Sequence, residues 1–114
     1  MGMTTSKTAK VLGFMAAFHE QNEAAARSLV ADGFRFTSPQ DDHLDREQYF
    51  TVCFPTAAHF VEQRMMETAE VGDTVLIRYE YELADGGRFR NMEAITVDSE
   101  GRILETQVYF GGAV

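Results

Sequence analysis

Three short turn signals cut the second half of this chain, and they restrict its folding more than any other feature. Gly72-Asp73, Asp85-Gly86-Gly87 and Glu100-Gly101 separate four stretches: Phe60 to Val71, Thr74 to Leu83, Arg88 to Val97 and Arg102 to Phe110. Turns this short join antiparallel neighbours, because a parallel pair needs a crossover of about a dozen residues or more. Asp-Gly and Gly-Gly also supply the positive φ that hairpin turns require. Thr74 to Leu83 alternates most clearly, with Val75, Ile77, Tyr79, Tyr81 and Leu83 on one face and Arg78, Glu80 and Glu82 on the other. Phe60 to Val71 is the least regular.

Before Phe60 the pattern changes to the helical period. Val11, Phe14, Met15 and Phe18 recur at three- and four-residue spacing, which predicts one helix from about Ser6 to Glu20. Asn22 is an N-cap for a second helix reaching about Ala31, anchored by Leu29 and Val30 and ended by Gly33. Glu23 and Arg27, four apart, are placed to pair on its exposed side. Phe34 to Thr37 reads as a short strand stopped by Pro39, and Ser38 to Leu44 as a polar loop. Asp45, with Gln48 three residues on, is a capping-box start for a third helix. Tyr49, Phe50, Cys53 and Phe54 give that helix its apolar side, and Pro55 closes it. Helices first and an antiparallel sheet after them is an α+β arrangement, with the helices packed on one face.

The chain's 114 residues read as a single domain, residues 1–114, without repeats or linkers. Its net charge of −8 repels phosphate, so nucleic-acid binding and docking on anionic membranes are disfavoured. The single Cys53 excludes an internal disulfide, a zinc ribbon and a CxxC redox pair. No apolar run is long enough to span a bilayer, and Met1 to Lys7 has no charged-then-apolar signal pattern. The cytoplasm is therefore the expected compartment, and Met1-Gly2-Met3 is given no functional weight.

The stretch Arg88 to Val97 carries the most informative irregularity. Phe89, Asn91, Glu93, Ile95 and Val97 share a face that is apolar at its ends and polar in the middle. If this face meets the helices, an amide and a carboxyl point inward side by side, and the carboxyl must pair, protonate or meet water. The opposite phase would leave Glu93 solvated. Arg64 is a candidate inward cation on the least regular strand. Tyr79 and Tyr81 suit either a pocket wall or the core, although a buried tyrosine hydroxyl needs a partner. Asp41-Asp42-His43 with Asp45 has the composition of a metal cluster, but neighbours in one loop rarely converge on one ion and the EF-hand spacing is missing. No metal site and no cofactor is expected. His19 and His59 read as surface or packing histidines and Cys53 as a buried inert thiol.

Thr37-Ser38-Pro39, Asp41-Asp42, Asp45-Arg46, Tyr49-Phe50 and Cys53-Phe54-Pro55 form one set of signature residues. Phe89-Arg90-Asn91-Met92-Glu93, Gly101-Arg102-Ile103 and Val108-Tyr109-Phe110-Gly111 form another. From about Thr8 to Gly112 the chain resembles the nuclear transport factor 2-like superfamily, and most of all its SnoaL-like branch. The resemblance implies a cone-shaped roll, in which a curved, mainly antiparallel sheet wraps around three N-terminal helices and leaves a pocket open at one end. It also implies a homodimer. In the related ketosteroid isomerases, a helix-borne tyrosine falls on Phe14, the general-base aspartate on Ser38 and a protonated aspartate on Glu93. Two of these three polar groups are missing here, so the steroid isomerase reaction is not expected. The pocket and one inward acid survive. Glu93 and Asn91 are then the catalytic candidates, with Asp41 or His43 of the loop able to supply a second group, and Phe14, Phe18, Ser38, Tyr49, Tyr79, Tyr81 and Phe110 are the candidate ligand-binding residues. The expected function is a pocket for a small, mostly apolar metabolite, with isomerase, lyase or hydrolase chemistry through the inward carboxyl. The alternatives are a non-catalytic binding protein and a dimeric assembly module.

Overall fold

The computed structural model describes residues 6–114. The reading of the first residues, up to Thr5, lies outside the described part. Two helices, α1 (Lys7–Glu20) and α2 (Glu23–Ser28), lead into strand β1 (Val30–Thr37). A two-residue strand β2 (Leu44–Asp45), helix α3 (Arg46–Val52) and a 3₁₀ segment (Phe54–His59) follow. The chain ends in four long strands: β3 (Phe60–Val71), β4 (Thr74–Leu83), β5 (Arg88–Val97) and β6 (Ile103–Ala113).

Local chemistry sets the helix starts. The Ser6 side chain accepts from the Ala9 N–H, and that of Asn22 from the Ala25 N–H. Asp45 and Gln48 form the reciprocal capping box their spacing predicts. Glu23 and Arg27 pair at 2.7 Å, and Arg27 also reaches Glu47 at 2.9 Å. The hairpin turns place Gly86 at φ +93° and Gly101 at φ +80°, where a side chain would be strained.

The strands form one open six-stranded sheet in the order β2-β1-β6-β5-β4-β3. All neighbours are antiparallel except β1 and β6, which run parallel. The sheet is therefore mixed but mainly antiparallel, and it curves around the helices. Val11, Phe14, Met15 and Phe18 of α1 pack on Val75 and Ile77 of β4, Ile95 and Val97 of β5, and Ile103 of β6 within one core.

Four sequence expectations are corrected. The second helix stops at Ser28, and Ala31 to Gly33 belong to β1, where the pairing with β6 shifts register between Val30 and Arg35. The apolar pair Leu29 and Val30 was read as a helix anchor, but Val30 is buried by the sheet. Pro55 does not close helical structure; it stands in the first turn of the 3₁₀ segment, where its missing N–H costs nothing. Strict alternation along β6 predicts that Leu104 shares a face with Thr106 and Val108, and it does not. The ladder shifts between Thr96 and Val97, so Ile103 is fully buried and Leu104 is 39% exposed. Arg64 does not point inward. Bulges in β3 turn it outward, where it meets Glu62 at 3.2 Å, while Gln63 and Met65 are the half-buried residues opposite Tyr81 and Tyr79.

Candidate functional site

The strand register decides where the polar residues go. Asn91 faces Tyr79 across the β4–β5 ladder, and Glu93 faces Ile77 on one side and Val108 on the other. Because Ile77, Tyr79, Ile95 and Val97 are buried on this side, the pleat turns Glu93 inward as well, and it is 6% exposed. The inward phase of the β5 pattern is the one the chain adopts.

The sheet's concave face and the helices enclose a pocket of about 860 Å³. Its walls are largely aromatic: Phe14 and Phe18 from α1, Phe36 from β1, Tyr49 from α3, Phe60 from β3, Tyr79 and Tyr81 from β4 and Phe110 from β6. All the candidate residues, including Ser38, Asn91 and Glu93, line this one space. The cavity is not enclosed. Val52 and Phe110, 52% and 54% exposed, stand at its rim, so it opens to solvent at one end. Its rings lock one another, with Tyr49 in contact with Phe14, Phe34, Phe36, Phe50 and Phe54, and Tyr81 stacked on Phe60 at 4.7 Å.

The polar centre is a chain of three side chains. The Tyr79 hydroxyl donates to Glu93 Oε2 at 2.5 Å, and Asn91 Nδ2 donates to the Tyr79 hydroxyl at 3.2 Å. Among the described residues no ion pair involves Glu93. Burial away from any cation pushes its carboxyl up to about 7, and the Tyr79 hydrogen bond opposes this without overcoming it. Burial and the neighbouring carboxylate push Tyr79 well above the ordinary tyrosine range, and burial does the same to Tyr49. Glu93 can therefore change protonation near neutral pH while both tyrosines keep their protons.

Two further polar atoms in this wall are buried without partners: Asn91 Oδ1 and Thr106 Oγ1. Thr106 is not among the residues the sequence singles out, although its alternation with Val108 and Phe110 on β6 carries the signal. At the mouth stand Asp41, His59 and Asp85. Asp41 is one of the two loop residues expected to supply a second group; the other, His43, is not among the lining residues, and His59 and Asp85 come from segments that leave no periodic trace in sequence. Cys53 also lines the pocket, but burial pushes its thiol up to about 12, which keeps it protonated and poorly nucleophilic. Asp42 and His43 contact each other at 2.6 Å on the surface, and no group of three metal-ligating side chains occurs among the described residues.

No family model and no curated protein matches the chain. Its similarity is to solved structures. An NTF2-like protein of unknown function from Cytophaga hutchinsonii aligns with TM-score 0.78 and 21% identity, over 96% of this chain and 94% of that one. A SnoaL-like protein of unknown function from Burkholderia thailandensis aligns with TM-score 0.76 and 19% identity, over 93% and 94%. TerC, co-crystallised with polyporic acid, aligns with TM-score 0.75 and 14% identity, over 91% and 90%. At these identities the likeness is one of fold.

Proposed function

We propose that this chain, which has the nuclear transport factor 2-like fold of the SnoaL-like proteins, is a small-molecule pocket protein that takes a small, mostly apolar metabolite. One observation carries the reading: a carboxyl buried in the wall of an aromatic pocket, hydrogen-bonded to Tyr79 and paired with no cation among the described residues. A solvent-accessible pocket of this volume is of the size that holds small organic ligands. TerC, of the same fold, was crystallised with such a molecule.

In this reading Glu93 exchanges a proton with the bound molecule. A carboxyl held near 7 is present in both forms at neutral pH, as a general acid or base requires. Tyr79 steadies the ionised form and Asn91 orients Tyr79. Such proton transfers belong to isomerase, lyase and hydrolase chemistry. A non-catalytic binding role is the second reading. It is favoured because, among the described hydrogen bonds, the partner of Glu93 is Tyr79, which keeps its proton. We also assign the protein to the cytoplasm and to a homodimer joined through the outer sheet face, where Met92 and Tyr109 lie opposite each other and are 42% and 58% exposed.

Mass spectrometry of what co-purifies with the protein tests the pocket, and the near-isosteric Glu93→Gln tests the carboxyl. A retained small molecule whose occupancy or turnover changes in the variant, at unchanged fold, is the expected result. Unchanged occupancy and turnover in Glu93→Gln would remove the carboxyl from the function.

A further inference from the structure

The polarity of the buried chain constrains the ligand more tightly than the pocket's shape does. Tyr79 has one hydroxyl proton and gives it to Glu93, so it can only accept from Asn91. This turns the Asn91 amide nitrogen toward Tyr79 and leaves Asn91 Oδ1 buried beside the pocket without a partner. Thr106, 2% exposed and across the ladder from Ile95, adds a second oxygen with no partner. Glu93 stands between these two along the inner face. The wall around Glu93 thus holds two buried oxygens without partners, an amide oxygen that only accepts and a hydroxyl that can also donate.

Charge points the same way. Asp41 and Asp85 stand at the mouth, and none of the described residues lining the pocket is Lys or Arg. The whole chain carries −8. A carboxylate or phosphate ligand would meet Glu93 within the pocket and Asp41 and Asp85 in its lining, with no Lys or Arg there to pair with. A neutral ligand would leave the buried carboxyl to hold its proton, whereas a cation would hold it ionised.

We propose that the pocket takes an amine: a protonated ammonium on an apolar, aromatic-compatible skeleton, with the ammonium seated on Glu93. The proposal rests on the pocket reading above and names its ligand class. The ammonium brings the positive charge that no Lys or Arg of the lining supplies, and the surrounding rings favour a cation over their faces.

Three fluorescent probes with one skeleton separate the possibilities: 1-pyrenemethylamine, 1-pyrenemethanol and 1-pyrenecarboxylate, titrated against wild type and Glu93→Gln at pH 7. The amine should bind roughly tenfold to a hundredfold more tightly than the alcohol, with the carboxylate weakest. That preference should disappear in Glu93→Gln. Calorimetry of the wild type in buffers of different ionisation enthalpy supplies a readout that does not depend on the variant folding. Amine binding should release protons, because it draws Glu93 into its ionised form. The groups facing Glu93 from the other elements support that assignment. Tyr49 and Cys53 on the α3 side and Tyr79 on β4 are all pushed upward and stay protonated at this pH, while α1 and β6 present only apolar side chains and Thr106. Asp41 and His59 lie at the mouth. Equal binding of amine and alcohol, tightest binding of the carboxylate, or amine binding without proton release would overturn the amine proposal and leave the pocket reading standing. Failure of all three probes to bind would overturn both.

Discussion

Glu93 is where the energetics of a single residue are most exposed to measurement. An ordinary glutamate titrates near 4.5, whereas burial carries this one to about 7. The folded state therefore binds the proton more tightly than the unfolded state does. Its stabilising contribution is full below about 4.5 and is lost as pH rises through about 7. The difference corresponds to about 3 kcal/mol. Urea denaturation across this range should show wild type losing about that much stability relative to Glu93→Gln, which has no proton to release there. Parallel profiles for the two proteins would mean that the carboxyl is solvated. Phe14 and Ser38 support a second expectation at this scale. Both line the pocket, at positions where the resemblance to ketosteroid isomerases implies an oxyanion donor and a base, and neither can serve. General-base catalysis alone contributes about 10²–10⁴ in rate. An assay with a 5-ene-3-ketosteroid should find no turnover near that of those enzymes, and efficient turnover would reject the assignment of roles.

Among the elements, β6 departs furthest from its sequence pattern. Strict alternation groups Leu104 with Thr106, Val108 and Phe110, but the ladder slips beside Val97 and exchanges Leu104 for Ile103. Two substitutions read this directly. Ile103→Ala should cost about 2–5 kcal/mol because it opens a hole in a fully buried site. Leu104→Ala should cost less than about 1 kcal/mol, since part of that side chain already faces water. Thermal or urea unfolding of the pair distinguishes the two registers, and the reverse order would restore the simple alternation. The slip matters for the site, because it lets β6 pack Ile103 in the core while still turning Thr106 and Val108 toward the pocket.

At the scale of the whole molecule, a concave sheet face filled by helices leaves the convex face for other contacts. Met92 and Tyr109 form an apolar cross-strand pair there, with Ala94 and Gln107 as the next pair along the ladder. Light scattering at roughly tens of micromolar should give the mass of two chains, in keeping with ordinary interface affinities. Tyr109→Glu should shift it to the mass of one, and a monomeric wild type would reject the proposed dimer. The helical and strand periods, the Asp45 cap, the short turns and the inward face of β5 were all legible in the sequence. Each is a local constraint, set by the backbone's own period or by the residues beside it. The amide and the carboxyl were visible as a pair for the same reason. Local pattern could not show that β1 starts at Val30, that β3 turns Arg64 outward, or that β6 slips at Leu104. Those outcomes depend on which strand lies alongside and how its ladder is registered. The hydrogen-bonded chain from Asn91 through Tyr79 to Glu93, and the unpaired oxygens of Asn91 and Thr106, depend on the same thing. Residues far apart in sequence become hydrogen-bond partners only once the sheet fixes their distance, and that distance is a property of the tertiary fold.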